Sequence, residues 1–188
     1  ISNINTINNL KFSIGNNTIK WDRIIKKCNF KDKKVLDLAC ADGYFSVQAL
    51  LNGANYVKGI DLDELRIEKA NFVKNHYQYK NIDFNVEDVY NISLLKEKYD
   101  IIMCLGLLHR IPDMEKLINK ISSSNSLLII ETKVLDTLEE KKIIEGPSNY
   151  GFKKSKSNKY NKLYAVASFK YFEKILRKNG YTKFTFDI

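Results

Sequence analysis

The residue types that could do chemistry cluster after two strand-like runs. Asp37 lies near the end of the first run, and Asp61 and Asp63 follow the second, with Asp61 24 positions beyond Asp37. A carboxylate about 20 residues beyond a tight glycine-type turn is placed to accept hydrogen bonds from both hydroxyls of a ribose. The spacing therefore indicates a binding site for a cofactor that contains adenosine.

The turn that follows Asp37 is built from small residues. Ala39, Ala41 and Gly43 lie at alternate positions, and small side chains let the backbone turn sharply and approach a ligand closely. Two of the glycines that are usual in such loops are alanines here. Taken alone, the loop is therefore also compatible with another nucleotide-binding sheet, such as that of a dehydrogenase.

Alternating strand and helix patterns position these loops. Strands that alternate with helices need crossover connections, which favours an α/β fold with a mostly parallel, twisted sheet and helices on both faces. The ligand of such a sheet lies outside the carboxyl ends of its strands. The strand patterns cover residues 35–39, 56–60, 82–86, 99–105 and 127–132, and the helix patterns cover residues 44–51, 64–79 and 114–121.

Two segments are expected to cover this sheet. Residues 1–30 form an N-terminal cap segment with a short helix at 21–27, and the irregular stretch 138–167 is long enough to be a lid. The last elements are a helix capped by Ser168 and ending at Lys178, and a strand over 182–188.

Length and composition exclude several classes of protein. The chain has 188 residues, 44% of them apolar, which is enough for one hydrophobic core and argues against a disordered chain. Its apolar runs are too short to cross a membrane, and no signal-peptide pattern begins it. Three cysteines without a CxxC pair argue against a disulfide framework or a metal cluster. We expect a single cytoplasmic domain over residues 1–188, within a longer native chain.

The net charge of +9 is concentrated near one end. Residues 139–188 hold twelve Lys or Arg and five Asp or Glu. A cationic surface attracts anionic partners such as RNA, a nucleotide or a phosphorylated sugar. A composition rich in Lys, Asn and Ile can equally reflect the base usage of a genome, and the sequence leaves both readings open.

The whole order of motifs resembles class I S-adenosylmethionine-dependent methyltransferases. Asp37, Asp61 and the pair Glu87-Asp88 follow the first three strands in the order and spacing of that family. The resemblance implies a Rossmann-like fold, S-adenosylmethionine as cofactor and methyl transfer as activity. The cofactor-binding residues that it implies, together with the acids noted above, are Asp37, Ala39, Ala41, Gly43, Asp61, Asp63, Val86, Glu87, Asp88 and Leu105.

Each group of these residues has a role by resemblance. Residues 39–43 would pack against the methionine part of the cofactor, Asp61 would bind the ribose, and residues 86–88 would face the adenine. Leu105 would line the pocket after the fourth strand.

A narrower resemblance is to the branch that contains the carboxymethyltransferase of the tRNA wobble uridine. It rests on Lys20-Trp21-Asp22-Arg23, Gly106-Leu107-Leu108-His109-Arg110, Glu131-Thr132 and Tyr164, and it spans residues 20–181. In that enzyme a tyrosine and an arginine hold the carboxylate of carboxy-S-adenosylmethionine. Leu108 and Asn161 stand at those positions here, so the comparison implies ordinary S-adenosylmethionine as the donor.

Several candidate residues have two interpretations. His109 follows the fourth strand and could be a general base, or it could only hydrogen-bond the backbone or the cofactor. Lys20 and Trp21 could close over the cofactor, whereas Trp21 could simply anchor the first helix. Tyr160 and Tyr164, among the lysines of the predicted lid, could stack on a substrate or reach the core.

The sequence therefore predicts methyl transfer from S-adenosylmethionine to a hydroxyl or amine of a small-molecule or sugar-type acceptor. One alternative makes RNA, such as a tRNA uridine, the acceptor. Another is a non-catalytic domain that binds the cofactor or a partner. No membrane partner is expected, and the sequence does not indicate an oligomeric state.

Overall fold

A computed structural model describes residues 6–7, 10–11, 17–90, 97–111, 113–122, 126–145 and 164–183. Near the N-terminus, β1 (Thr6–Ile7) and β2 (Leu10–Lys11) pair in antiparallel fashion. The first helix, α1 (Asn17–Ile25), follows them. It begins four residues before the predicted helix at 21–27, because the prediction relied on Trp21 and the apolar residues that follow it.

The central element is a five-stranded parallel sheet, which confirms the predicted fold class. Its strand order is β5-β4-β3-β6-β7, so the chain builds one half of the sheet and then returns to build the other beside β3. The ligand of an open parallel sheet lies at the strand ends near this reversal, between β3 and β6. The strands are β3 (Lys34–Leu38), β4 (Tyr56–Asp61), β5 (Ile82–Val86), β6 (Ile101–Leu105) and β7 (Leu127–Glu131).

Four helices cover the two faces of this sheet. On one face, α2 and α3 pack with Trp21 and Phe30 over alternate strand residues such as Val35 and Met103. On the other face, α4 and α5 pack over Leu36 and Ile102. Because both faces are covered, β6 is wholly apolar, and β3 is apolar except for Lys34 and Asp37. The helices are α2 (Tyr44–Leu51), α3 (Glu64–His76), α4 (Met114–Ser122) and α5 (Phe169–Lys178).

Side-chain caps determine where two helices begin. The Ser168 hydroxyl accepts a hydrogen bond from Tyr171 N, which confirms the predicted cap of α5. Asp63 caps α3 by accepting from the amides of Leu65 and Arg66. α3 ends at His76, three residues before the predicted end, and Gln78 just beyond has a positive φ of 55°.

A second, three-stranded sheet lies within and beside the predicted lid. The strands are β8 (Val134–Leu135), β9 (Lys142–Glu145) and β10 (Tyr164–Ser168), with β10 in the middle. Ala165 and Ala167 of β10 are completely buried against the core that includes α5. Part of the stretch 138–167 is thus regular sheet, whereas the preferred interpretation of the sequence was an irregular lid. Residues 146–163 and the end of the predicted strand 182–188 lie outside the described residues.

No helix among the described residues is long and apolar enough to cross a membrane. Within the same ranges, no group of three His, Cys, Asp or Glu side chains could hold a metal ion.

Gly59 is required by the packing between β4 and β5. A Cβ at this position would lie 2.6 Å from Phe84 Cδ1 and 3.0 Å from Cys40 Sγ. We expect Gly59→Ala to lower the free energy of unfolding by about 1–3 kcal/mol, because the Phe84 ring must leave its packed position. Urea denaturation measures this change.

The control is the same substitution combined with Phe84→Leu, which makes room beside the new methyl group. The double variant should lose less than the sum of the two single losses. Losses that add would show that the ring does not set the limit at Gly59.

Candidate functional site

The turn after β3 has an unusual backbone at the three positions where the sequence places small residues. Ala39, Ala41 and Gly43 all have positive φ angles, of 58°, 51° and 83°. This alternation reverses the chain within a few residues and starts α2 directly afterwards, with Val47 N donating to Gly43 O. A β-branched or bulky side chain would be more strongly disfavoured at these positions. The structure therefore explains why the loop alternates small residues.

Asp61 joins this turn to the neighbouring strand. Its Oδ2 accepts from Ala41 N at 2.9 Å, and its Oδ1 accepts from Asp63 N at 2.9 Å. The carboxylate is partly exposed at the carboxyl end of β4. The predicted turn and the predicted ribose-binding acid are thus brought into direct contact.

The structure gives Asp63 a local role. Its Oδ1 accepts from both Leu65 N and Arg66 N at the start of α3, and Arg66 Nε lies 3.8 Å from its Oδ2. This carboxylate is thus engaged by the helix, and the predicted contact of Asp63 with the cofactor stays a prediction. Asp63 instead fixes the direction in which the chain leaves Asp61.

The third loop adds an apolar surface and two engaged acids. Val86 ends β5 with 51% of its surface exposed. Glu87 N donates to Asp61 O, and the Glu87 carboxylate lies 3.8 Å from Lys58 Nζ. Asp88 accepts a hydrogen bond from Tyr90 N. Residues 86–88 therefore continue the edge formed by Asp61, with Val86 as its open apolar part.

Asp37 lies beneath the turn and is 1% exposed. Its Oδ2 accepts a hydrogen bond of 2.5 Å from the hydroxyl of Ser46, which is itself fully buried in α2. Burial raises the pKa of Asp37 to about 7, the nearby Asp61 acts in the same direction, and the hydrogen bonds from Ser46 oppose it. The sequence identified Asp37 but not Ser46. Helix periodicity places Ser46 on the inner face of α2, which was the signal available.

Through Lys20, the first helix contacts the carboxyl ends of β6 and β7, which form the other half of this edge. Lys20 Nζ lies 2.9 Å from Oε1 of Glu131, the last residue of β7. Glu131 also accepts from Gly106 N through its backbone carbonyl, and Leu105 just before it is partly buried. Sequence reasoning gave Glu131 no role in the site, because its pairing with Lys20 depends on the tertiary fold.

Trp21 occupies the core rather than the open edge. It is 4% exposed, with ring centroids 5.1 Å from Phe30 and 6.4 Å from Phe45. This burial leaves almost no ring surface for a ligand. Of the two interpretations of Trp21, this burial favours the anchor of α1.

His109 lies in a 3₁₀ turn (Leu108–Arg110) after β6 and is 7% exposed. Its Nδ1 accepts from Lys133 N at 3.4 Å and lies 3.2 Å from Thr132 Oγ1. Burial, reinforced by the charges of Arg110 and Lys133, lowers the pKa of His109 to about 4. Acceptance at Nδ1 assigns the hydrogen of the neutral ring to Nε2. The imidazole is thus neutral at pH 7.

The two predicted substrate-binding tyrosines are not joined to this edge by any described contact. Tyr164 begins β10, where its backbone pairs with Glu145. Tyr160 lies outside the described residues, as does Asn161.

Because Ala39 and Ala41 have positive φ, replacing either by glycine removes backbone strain. We expect Ala39→Gly and Ala41→Gly each to raise the free energy of unfolding by about 0.5–1 kcal/mol. This is the relieved backbone strain minus the cost of the extra conformational entropy that glycine gives the unfolded chain. Chemical denaturation tests this. Ala49→Gly, inside α2, is the control and should destabilise by about 1 kcal/mol. A loss of similar size at position 39 or 41 would contradict the role of the positive φ angles.

The lowered pKa of His109 makes stability depend on pH. Below about 6.5 the unfolded chain binds a proton that the folded chain does not bind until about pH 4, so stability falls as the pH falls through this window. Between pH 7 and pH 4.5, we expect the free energy of unfolding of His109→Gln to fall by about 1–3 kcal/mol less than that of the wild type. Urea denaturation at pH 7 and pH 4.5 measures it. His76→Gln, at an exposed position of α3, is the control and should keep the wild-type dependence.

Comparison with known proteins identifies the family. A family model described as a methyltransferase domain matches residues 29–184. A tRNA U34 carboxymethyltransferase of Helicobacter hepaticus is 31% identical over 131 residues, which are 65% of this chain and 42% of that protein. A ubiquinone biosynthesis O-methyltransferase of Coxiella burnetii is 33% identical over 104 residues, 54% of this chain and 43% of that protein.

The fold also matches solved structures. Magnesium protoporphyrin IX methyltransferase of Synechocystis PCC 6803, crystallised with bound S-adenosylmethionine, superposes with a TM-score of 0.59 at 20% identity, covering 89% of this chain and 67% of that one. The matches to the two relatives above span only about two fifths of those proteins' lengths. With the family model matching most of the sequence, this chain belongs to the S-adenosylmethionine-dependent methyltransferase family.

Proposed function

We propose that this edge of the sheet binds S-adenosylmethionine and that the chain transfers its methyl group to a hydroxyl or amine of a small-molecule or sugar-type acceptor. The observation that carries the proposal is the left-handed turn of residues 39–43, whose Ala41 amide is held by Asp61. It brings a closely approachable backbone and a carboxylate together at the strand ends.

The residues present fit this cofactor. Ala39, Ala41 and Gly43, which carry only methyl groups or hydrogen as side chains, offer backbone against which the methionine part can lie. Asp61 retains acceptor capacity for the two ribose hydroxyls, since each of its oxygens accepts one described hydrogen bond. The exposed Val86 gives an apolar surface for the adenine. When bound, the cofactor supplies a methyl group on a sulfonium, which is a good leaving group.

The chain's own residues act mainly by positioning. The residues assigned to the cofactor lie mainly on β3, β4 and β5, with Leu105 of β6 lining the same pocket. We therefore place the acceptor over β6 and β7, beside Leu105 and the partly exposed Glu131. Holding the acceptor atom in line with the methyl group supplies much of the rate of such a transfer. Tyr160 and Tyr164 follow β6 and β7 in the sequence, and they remain proposed acceptor contacts.

We place His109 beside the acceptor as a neutral group. A base with a pKa of about 4 is weak at neutral pH. With Nδ1 accepting from Lys133 N, the hydrogen of the neutral ring lies on Nε2, from which it would donate to an acceptor oxygen. His109 therefore orients the acceptor in our proposal, in place of the general base that was one of its two interpretations from the sequence.

Ordinary S-adenosylmethionine is the donor that we propose. Leu108 stands where the carboxymethyltransferase branch has a carboxylate-binding tyrosine, and it is an apolar, completely buried residue. A second carboxylate contact would have to come from Asn161, which lacks the charge of the arginine in that branch.

RNA is the second candidate acceptor. The curated relatives include several tRNA U34 carboxymethyltransferases, one of them 31% identical. The basic residues of 139–188 provide the electrostatic attraction that RNA binding needs. Two results together would favour this candidate. The protein would bind unmodified tRNA with an affinity that falls steeply with salt, and it would not bind phenolic or sugar acceptors.

Calorimetric titration tests the proposed cofactor site. S-adenosylmethionine and its demethylated product should bind with dissociation constants in the micromolar range, which corresponds to a binding free energy of about −8 kcal/mol. Asp61→Ala should abolish measurable binding, because it removes both the ribose contact and the tie to Ala41. Carboxy-S-adenosylmethionine should bind more weakly than S-adenosylmethionine.

Asp100→Ala is the matched control, because Asp100 is exposed at the opposite edge of the sheet, where it accepts from Lys34 N. Its binding constants should equal those of the wild type. Tighter binding of the carboxylated donor would overturn the choice of donor. The absence of binding by any of the three compounds would favour the non-catalytic alternative.

A further inference from the structure

Asp37 is a buried carboxyl group without a cationic partner. It is 1% exposed, and its described hydrogen-bond partner is Ser46. Among the described residues, no Lys, Arg or His forms an ion pair with it. A buried charge without a counter-charge is unfavourable, so such a group takes up either a proton or a cation.

The groups that face Asp37 from the neighbouring elements supply no positive charge. Ser46 comes from α2, Asp61 from the end of β4, Cys40 from the turn and Cys104 from β6. Burial, together with Asp37 itself, raises the pKa of both thiols, so they stay neutral. Among the described residues, the charge that acts on Asp37 is that of Asp61, which is negative and favours a proton on Asp37. Asp42 of the turn, which acts on Cys40, is negative as well.

The proposed cofactor brings a positive charge to this place. S-adenosylmethionine carries a sulfonium, which its product S-adenosylhomocysteine lacks. In the proposed placement the methionine part lies on the turn of residues 39–43, which directly follows Asp37, and the ribose lies on Asp61, whose charge acts on Asp37. We infer that Asp37, positioned by Ser46, is the counter-charge that distinguishes the donor from the product, and that binding of the donor displaces a proton from its carboxyl group. This inference rests on the proposed function.

The proton step is simple. The O–H bond of the Asp37 carboxyl breaks, its electron pair stays on the carboxylate, and the proton passes to the buffer. With a pKa of about 7 in the free protein, Asp37 holds a proton below neutral pH. The sulfonium attracts the carboxylate form, so binding of the donor becomes tighter as the pH rises toward 7 and levels off above it.

Ser46 acts through Asp37. Its hydroxyl donates to Oδ2 at 2.5 Å and its hydrogen bonds favour the carboxylate. Without the hydroxyl, Asp37 would hold its proton to higher pH. Ser46 is therefore a positioning residue with a readout that a purely structural role would not give.

Calorimetry in two buffers of different ionisation enthalpy, phosphate and imidazole, counts the protons released on binding. At pH 6.5, S-adenosylmethionine should release a substantial fraction of one proton, and the product should release less. At pH 8.5 neither should release a proton. The affinity for the donor should rise by up to about tenfold between pH 5.5 and 6.5. Sinefungin, which has an amine in place of the sulfonium, should behave like the donor.

Three variants assign the effect. Asp37→Asn should abolish the proton release and the preference for the donor, and its Tm at pH 8.5 should rise, which shows that it folds. Ser46→Ala should move the loss of proton release to higher pH, and Ser46→Thr should restore the wild-type profile. Asp100→Asn, the matched change at the opposite edge, should leave the profile unchanged.

The outcomes separate two failures. If donor and product release equal numbers of protons, or if the release persists in Asp37→Asn, the role of Asp37 is wrong while the proposed function stands. If S-adenosylmethionine does not bind at any pH, the proposed function itself is wrong.

Discussion

The hydrogen bond from Ala41 N to the Asp61 carboxylate is the interaction on which the arrangement of the site depends. It ties the turn after β3 to the end of β4. The same carboxylate accepts from Asp63 N, and the Asp61 carbonyl accepts from Glu87 N. One residue thus connects the three loops that follow β3, β4 and β5. Small displacements of any loop would be transmitted to the others through Asp61.

Close packing beneath the loops supports this connection. The Phe84 ring fills the space that side chains at Gly43 and Gly59 would need. It therefore lies under the turn and against β4 at once. Asp37 and Ser46 add a buried polar contact on the same face of the sheet. The site therefore combines a rigid apolar support with one polar pair whose state depends on its charge environment.

Sequence patterns were sufficient for the sheet and for half of the site. Short apolar runs, separated along the chain by segments with helical periodicity, define the five central strands. Small residues at 39, 41 and 43 predict the turn. The pairs Asp37–Ser46 and Lys20–Glu131 join residues whose contact depends on how helices dock on the sheet. A single sequence does not carry that information. The strand β10 was missed because its partners β8 and β9 precede it by many residues and each is short.

The strand order has a consequence for how this protein could diversify. All elements from β3 to β5 precede residue 87 and build one half of the edge, whereas β6, β7 and the loops after them build the other half. The two halves meet along a single strand pair, β3 with β6. Insertions or exchanges downstream of β5 can therefore reshape one half while the backbone of the other keeps its register. A domain of this kind can therefore keep one half of its site constant while the other half changes.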